Sequence, residues 1–198
     1  MWRWASCSSR GRAGARLLPL LLAAAAAPAW ARVLLTPEEA LRLAFGAASV
    51  ERQAKFLTDA QLARARELAG VPIDSALVTR YVAAAAGGAT SAAYFDTHVV
   101  RTLPETVLLV VGPDGRISRL EVVAFGEPED YLPRARWLQQ FPGRALDAEL
   151  SVRRGLHGIT GATLSAQAVT DAARRILAIH QVLAEPPAGA ASPHAPGR

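Results

Sequence analysis

The first half of the chain combines two helix patterns with a short extended piece. Thr36-Pro37-Glu38-Glu39 predicts a helix start, because threonine caps, proline suits the first helical position and acids face the positive end of the dipole. Gly46 is expected to end this helix. A second helix is predicted over residues 58–70, after an extended piece at residues 50–57.

The pattern then becomes typical of strands. Leu77–Ala84 and residues 91–99 are two predicted strands joined by a glycine-rich turn. Residues 105–111 are almost wholly apolar, as expected of a strand covered on both faces. Gly112-Pro113-Asp114-Gly115 is a turn in which proline sets one dihedral angle and the last glycine accepts a positive one. Residues 116–125 return as the partner strand, so an antiparallel meander of about four strands is predicted.

The last third of the chain is predicted to end in a long helix. A loop over residues 127–133 and a short helix precede an extended connection at residues 146–153. Residues 164–183 then show the apolar spacing of an amphipathic helix, with Arg174 and Arg175 outside its apolar face. The complete pattern indicates an α+β fold in which helices pack on one antiparallel sheet.

Composition changes this picture at the N-terminus. Residues 1–31 contain arginines and no acid, followed by an apolar run at residues 17–27 and by Ala29-Trp30-Ala31, which is typical of a signal-peptide cleavage site. The run is shorter than the roughly 20 residues that a transmembrane helix needs. We therefore expect a signal peptide and a periplasmic mature protein. If the segment is not cleaved, the protein is expected to be membrane-associated.

Charge and cysteine content exclude several classes of site. Four of the 22 basic residues and none of the 17 acids lie in residues 1–31, so the rest of the chain is close to neutral with its charges interspersed. We expect no nucleic-acid partner, because such proteins carry clustered basic residues. The one cysteine, Cys7, lies in the same segment. The mature chain then has no thiol for a disulfide, a thiolate metal site or a haem attachment.

The stretch most informative about chemistry is Gly158-Ile159-Thr160-Gly161-Ala162-Thr163-Leu164-Ser165, immediately before the last helix. Gly161 lets another group approach the backbone closely. The first N–H groups of a helix lack internal partners and its dipole favours negative charge there, so a phosphate fits this position. On spacing alone the simpler interpretation is favoured, in which Thr163 or Ser165 caps the helix and Gly161 lies in an ordinary turn.

Thr160-Gly161-Ala162-Thr163 resembles the Ser/Thr-Gly-Ala-Thr flavinylation motif of the FMN-binding domain family. That family includes periplasmic flavoprotein subunits of the Rnf electron-transport complex and of the sodium-pumping NADH:quinone reductase. The resemblance covers residues 103–183, with the apolar strand, the turn, the returning strand, Glu127-Pro128 and Trp137…Phe141-Pro142-Gly143 in the family's order. The chain departs from the family at His157, where an acid is usual.

The resemblance implies FMN joined to Thr163 by a phosphoester, a flavin transferase that makes it, and membrane redox-chain components as electron partners. It places the FMN-binding core at residues 103–184, between an N-terminal helical and strand region at 32–102 and a disordered tail at 185–198. Trp137, Phe141 and Tyr131 are the aromatic candidates for a wall of the flavin ring, and for each of them ordinary core packing is favoured at least as much as ring contact. The implied cofactor-binding residues are Thr163, Thr160, Gly161, Ala162, Leu164, Ser165, His157, Glu127, Tyr131 and Trp137.

Three functions stay open at this point. The first is an electron-transfer flavoprotein, which is more consistent with a carrier than with a stand-alone oxidoreductase. The second is a flavin-free sensory or scaffolding module of the same fold. His157 suggests it, because the family usually has an acid at that position. The third is a soluble enzyme in which the flavin reduces a small substrate directly, although no substrate domain is visible in the sequence.

Overall fold

The computed structural model describes residues 31–84 and 88–185. Residues 1–30 of the predicted signal peptide and residues 186–198 of the predicted tail lie outside this part of the chain. The described residues form an α+β fold with one antiparallel sheet and a long last helix, which confirms the predicted class. Among them, no helix combines the length and the apolar character needed to cross a membrane.

The sheet has six strands in the order β1-β6-β5-β4-β3-β2. Strands β2 to β6 form a meander, and β1 pairs with the outer side of β6. In chain order the elements are β1 (Arg32–Val33), α1 (Pro37–Phe45), β2 (Val50–Phe56), α2 (Asp59–Ala69), β3 (Leu77–Ala84), β4 (Thr90–Val99), β5 (Pro104–Val111), β6 (Ile117–Phe125), a 3₁₀ turn (Glu129–Tyr131), α3 (Ala135–Leu138) and α4 (Thr163–Ala184).

The prediction of about four strands is wrong, because β1 and β2 also belong to the sheet. The sequence pattern marks β2 only as a separate extended piece. As an edge strand, β2 leaves most of its side chains exposed, so no apolar alternation identifies its place in the sheet. The two residues of β1 are too few to show any pattern. Pairing with a neighbouring strand, which is a non-local property, brings both into the sheet.

The first two helices begin as the sequence predicts. Thr36 Oγ1 accepts the N–H of Glu39 at 3.2 Å, and the Glu39 carboxylate accepts the N–H of Thr36 at 2.8 Å. Thr58 and Gln61 form the same reciprocal pair at the start of α2. Such capping boxes satisfy two N–H groups that a helix otherwise leaves free. Each helix ends at a glycine with positive φ, which confirms both predicted ends.

Helices cover the sheet on both faces. Helices α2 and α4 pack on one face over the larger core, and α1 packs on the other. Within β5, Val107 and Leu109 belong to the larger core, and Leu108 and Val110 belong to the smaller one. This arrangement confirms the two-sided burial predicted from the apolar run of β5.

One local prediction before α4 is wrong, and the two arginines outside the apolar face of α4 contact other segments. Arg175 is half-buried and donates to both carboxylate oxygens of Asp96, at 3.0 and 2.7 Å. Arg174 donates to a main-chain carbonyl at the end of α2 at 2.7 Å. Residues 146–153 run through turns, one of them closed by the Asp147 carboxylate, rather than through an extended connection. Helical spacing counts arginine as outward-facing and carries no information about acceptors on other segments.

Candidate functional site

The motif that ends at Thr163 forms the entry to α4. Gly161 has a φ of 82°, which side chains rarely adopt, and a Cβ placed there would meet nothing within 4 Å. The backbone turn therefore requires glycine, and open space lies above it. The N–H of Ala162 donates to the Ile159 carbonyl at 3.0 Å and closes the turn. Ala162 is the N-cap residue, so Thr163 is the first residue of the helix.

The N-terminus of α4 has no side-chain cap. Ala162 carries no acceptor group, and the first turn of the helix contains no acidic residue. The simpler interpretation of the motif, in which Thr163 or Ser165 caps the helix, is therefore wrong. The first N–H groups of α4 keep their partial positive charge without an internal partner, which favours a negatively charged group at this position.

A cleft of ≈ 190 Å³ lies beside this helix start. It brings together seven of the ten residues predicted from the sequence. Thr163 is exposed, and Leu164 leaves a large apolar side chain 49% exposed. The residues that line the cleft are Val100, Arg101, Glu127, Tyr131, Gly161, Ala162, Thr163, Leu164 and Ser165.

Glu127 holds one wall of the cleft in place. Its Oε1 accepts the N–H groups of Thr102 at 2.7 Å, Leu103 at 2.9 Å and Arg101 at 3.2 Å. These main-chain hydrogen bonds, led by those from Thr102 and Leu103, lower the pKa of the Glu127 carboxyl. The ionised carboxylate therefore positions the β4–β5 connection, which carries Val100 and Arg101 into the cleft.

Arg101 and Tyr131 form a second wall. The Arg101 guanidinium lies 5.3 Å from the centroid of the Tyr131 ring, within the range of a cation–π contact. Tyr131 comes from the 3₁₀ turn that follows Glu127-Pro128, so the sequence-predicted loop supplies an aromatic face here. The cleft thus combines an uncapped helix start, one cation and one aromatic ring.

Trp137 and His157 are joined to each other and do not line the cleft. The Trp137 indole N–H donates to the His157 carbonyl at 2.6 Å, and the His157 N–H donates to Gln140 Oε1 at 2.8 Å. The Trp137 ring packs edge-on against Phe141, with centroids 5.3 Å apart. These contacts fix the main chain just before the motif and leave the His157 side chain exposed. Thr160 is also exposed and lies one residue outside the cleft wall.

Sequence reasoning missed Arg101 and Val100. Both lie in the connection between β4 and β5, far from the motif along the chain, and only the sheet topology brings them to the start of α4. No local pattern distinguishes Arg101 from the other arginines of the chain. Among the residues singled out from the sequence, Glu127 points most directly to Arg101, because its carboxylate accepts the main-chain N–H of Arg101.

The chain matches no model of a known protein family, and neither a curated protein nor a solved structure gave a match. In the part of the chain that the structure describes, no three His, Cys, Asp or Glu side chains are grouped so as to hold a metal ion. The chemistry of the cleft therefore rests on its own residues and on the motif that they contain.

Proposed function

We propose that this protein is an exported electron-transfer flavoprotein that carries FMN through a phosphoester on Thr163. One observation carries the proposal: the exposed Thr163 hydroxyl stands at the uncapped start of a 22-residue helix, beside a cleft that contains Arg101. The resemblance of Thr160-Gly161-Ala162-Thr163 to a flavinylation motif supports the same residue. Export and membrane redox partners are part of the proposal and follow from the N-terminal segment and from that resemblance.

The residues around Thr163 suit the phosphate end of FMN. A phosphodiester carries about one negative charge, which helix N–H groups and the helix dipole stabilise. Gly161 and Ala162 contribute almost no side-chain bulk, and Arg101 supplies a positive charge in the same cleft. Thr163 is exposed, so a transferase can reach its hydroxyl.

The size of the cleft favours a carrier over an enzyme with an enclosed site. Its ≈ 190 Å³ is less than the roughly 300 Å³ at the lower end of small-molecule pockets. Only part of FMN fits within these walls, and Tyr131 and the exposed Leu164 offer apolar surface to the remainder. When bound, the isoalloxazine supplies one- or two-electron chemistry, and the protein sets its position. An open site lets a redox partner approach.

The attachment requires an activated donor and a transferase. The Thr163 hydroxyl loses its proton to a base, and a bond forms between Oγ1 and the phosphorus of the flavin phosphate. The phosphoanhydride bond of an activated flavin nucleotide breaks, and its second phosphate leaves with the bonding electrons. The protein gains the mass of FMN less one water. An ester prevents loss of the cofactor outside the cytoplasm, where it is not readily replaced.

A flavin-free sensory or scaffolding module is the second candidate. Its support is His157, which stands where the family usually has an acid and whose side chain is exposed next to the motif. If a transferase needs that acid to recognise the loop, the same cleft stays without a covalent cofactor. The two candidates differ in one property, which is covalent flavin on the mature chain.

The deciding experiment is expression in the periplasm with and without a flavin transferase, followed by denaturing electrophoresis and flavin fluorescence. We expect a fluorescent band only with the transferase, and no band for Thr163→Ala. Thr90→Ala, which changes an exposed threonine at the start of β4, is the matched control and should keep the band. Fluorescence that persists in Thr163→Ala would place the attachment elsewhere, and a colourless wild-type protein would support the flavin-free module.

A second measurement separates the carrier from an enzyme. The loaded protein is mixed with a chemical reductant and then with a one-electron acceptor, and the flavin absorbance is followed. A carrier is expected to take and return one stoichiometric set of electrons without continued turnover. Sustained reduction of a small acceptor by catalytic amounts of protein would contradict the carrier assignment.

A further inference from the structure

The cleft beside Thr163 contains a cation that the fold leaves available for a ligand. Arg101 is exposed, whereas Arg174 and Arg175 are half-buried and are engaged by main-chain carbonyls and by Asp96 respectively. In the described residues, no carboxylate or carbonyl accepts a hydrogen bond from the Arg101 guanidinium, whose contact is the face of Tyr131. A cation–π contact restrains the guanidinium and leaves its five N–H donors free.

The main chain that carries Arg101 is fixed before any ligand binds. Glu127 Oε1 accepts three consecutive N–H groups of the connection, and the Gly126 N–H donates to the Pro104 carbonyl at 2.8 Å. A Cβ at Gly126 would lie 2.9 Å from Leu103 Cβ and from the Pro104 carbonyl oxygen, so only glycine permits this close approach. A cation whose main chain is already fixed costs less ordering entropy on binding than one on a mobile loop.

We propose that Arg101 binds the flavin phosphate at Thr163 and makes the site specific for a phosphorylated flavin. This inference rests on the proposed function. The planar guanidinium donates two parallel N–H groups to a phosphate, which a lysine ammonium cannot do in the same geometry. The helix start provides N–H groups and Arg101 provides the full positive charge.

Glu127 lies in the same cleft and belongs in the charge balance. A bare carboxylate beside a phosphate would oppose binding by like-charge repulsion. Three N–H groups bind Glu127 Oε1, and they partly offset its charge on the side of the β4–β5 connection. Arg101 is the first of these three donors, and its guanidinium is the positive charge left in the cleft to pair with an incoming anion.

The test is the initial rate at which purified protein is loaded by a flavin transferase at limiting donor, measured by intact mass. Removing one charge-assisted hydrogen-bond partner is expected to slow loading about tenfold or more for Arg101→Ala. Arg101→Lys keeps the charge without the fork and should recover part of the rate. Arg134→Ala removes an exposed arginine outside the cleft and should load at the wild-type rate.

A second readout does not depend on how the transferase recognises the protein. In the loaded protein, the ³¹P resonance of the phosphodiester should move in Arg101→Ala and should stay at its wild-type position in Arg134→Ala. A merely structural role for Arg101 would lower thermal stability without moving this resonance. Wild-type loading and an unchanged resonance in Arg101→Ala would overturn the role of Arg101 and leave the attachment at Thr163 intact.

Failure of the proposed function would look different, because the wild-type protein would then take no flavin at all. In that case inorganic phosphate is titrated into the unloaded protein, and the amide resonances of residues 161–165 are followed. Shifts that disappear in Arg101→Ala and remain in Arg134→Ala would retain Arg101 as an anion ligand. The absence of shifts in the wild-type protein, or their persistence in Arg101→Ala, would overturn it.

Discussion

A threonine at the first position of a helix differs chemically from a threonine at the N-cap. At the N-cap, the hydroxyl accepts a helix N–H and is engaged, as Thr36 is in α1. At Thr163 the cap position is taken by Ala162, and the left-handed turn at Gly161 sets this offset of one residue. The hydroxyl is therefore available for attachment while the N–H groups of the same turn stay free for the phosphate.

His157 provides a prediction at the same scale. Its main chain is held by Trp137 and Gln140 through bonds that do not involve the imidazole, so the side chain can be changed without disturbing the entry to α4. We expect His157→Asp, which introduces the acid usual in the FMN-binding domain family that the motif resembles, to raise the loaded fraction several-fold at a fixed time of co-expression. Flavin fluorescence per amount of protein measures the effect.

The matched control is His157→Asn, which has nearly the shape of aspartate and lacks its charge. We expect it to load no better than the wild-type protein, because the transferase is proposed to recognise the negative charge. Equal loading of all three proteins would mean that the side chain at this position plays no part in recognition.

At the scale of elements, local rules predict what local interactions determine. The starts of α1 and α2 follow from capping residues, their ends from glycine, and the burial of β5 from its apolar run. The place of β2 in the sheet is non-local, because an exposed edge strand carries no apolar signal. The candidate site divides in the same way: the motif at α4 is contiguous and visible, whereas Arg101 reaches it only through the fold.

A chain of charged side chains joins α4 to the sheet. Arg175 binds Asp96, the Asp96 carboxylate binds His98 Nδ1 at 2.8 Å, and His98 Nε2 lies 3.1 Å from Glu105 Oε2. Glu105 is fully buried, and its burial raises the pKa of its carboxyl. Burial opposes the charged form of His98, but hydrogen bonds to Asp96 and Glu105 outweigh it and raise the pKa of the imidazole.

The contribution of Asp96 to this series of charged side chains can be tested by changing the pH. Burial alone would raise the pKa of Asp96, but hydrogen bonds from His98 and Arg175 lower it to about 2. The folded state therefore favours the carboxylate, so its contribution to the free energy of unfolding is complete above the unfolded pKa of 3.8 and is lost as pH falls through about 2. We expect Asp96→Asn to lower the free energy of unfolding by at least about 2 kcal/mol at neutral pH.

Urea unfolding of both proteins across the acid range measures this contribution. The difference between the wild-type protein and Asp96→Asn should shrink as pH falls from about 4 to about 2, because protonation of Asp96 removes the advantage. Glu129→Gln breaks the exposed ion pair with Arg32 and is the control, expected to change stability little. A difference that stays constant through the acid range would contradict the assigned role of Asp96.

At the scale of the whole molecule, the candidate site lies where three segments distant in sequence meet. These segments are the β4–β5 connection, the loop that carries Glu127 and Tyr131, and the start of α4. The buried residues of the two cores lie outside the cleft, and Val100 and Tyr131 of the cleft pack against the larger core. The small open cleft at the start of α4 is the place at which the proposed redox group would be held.

The central claim is that FMN is bonded to Thr163, and peptide mass mapping tests it most directly. Trypsin releases residues 155–174 as one peptide that contains Thr160, Thr163, Ser165 and Thr170. From protein matured with a flavin transferase, we expect this peptide to gain the mass of FMN less one water, with fragment ions that place the gain on Thr163. An unmodified peptide, or a gain on one of the other three hydroxyls, would contradict the account.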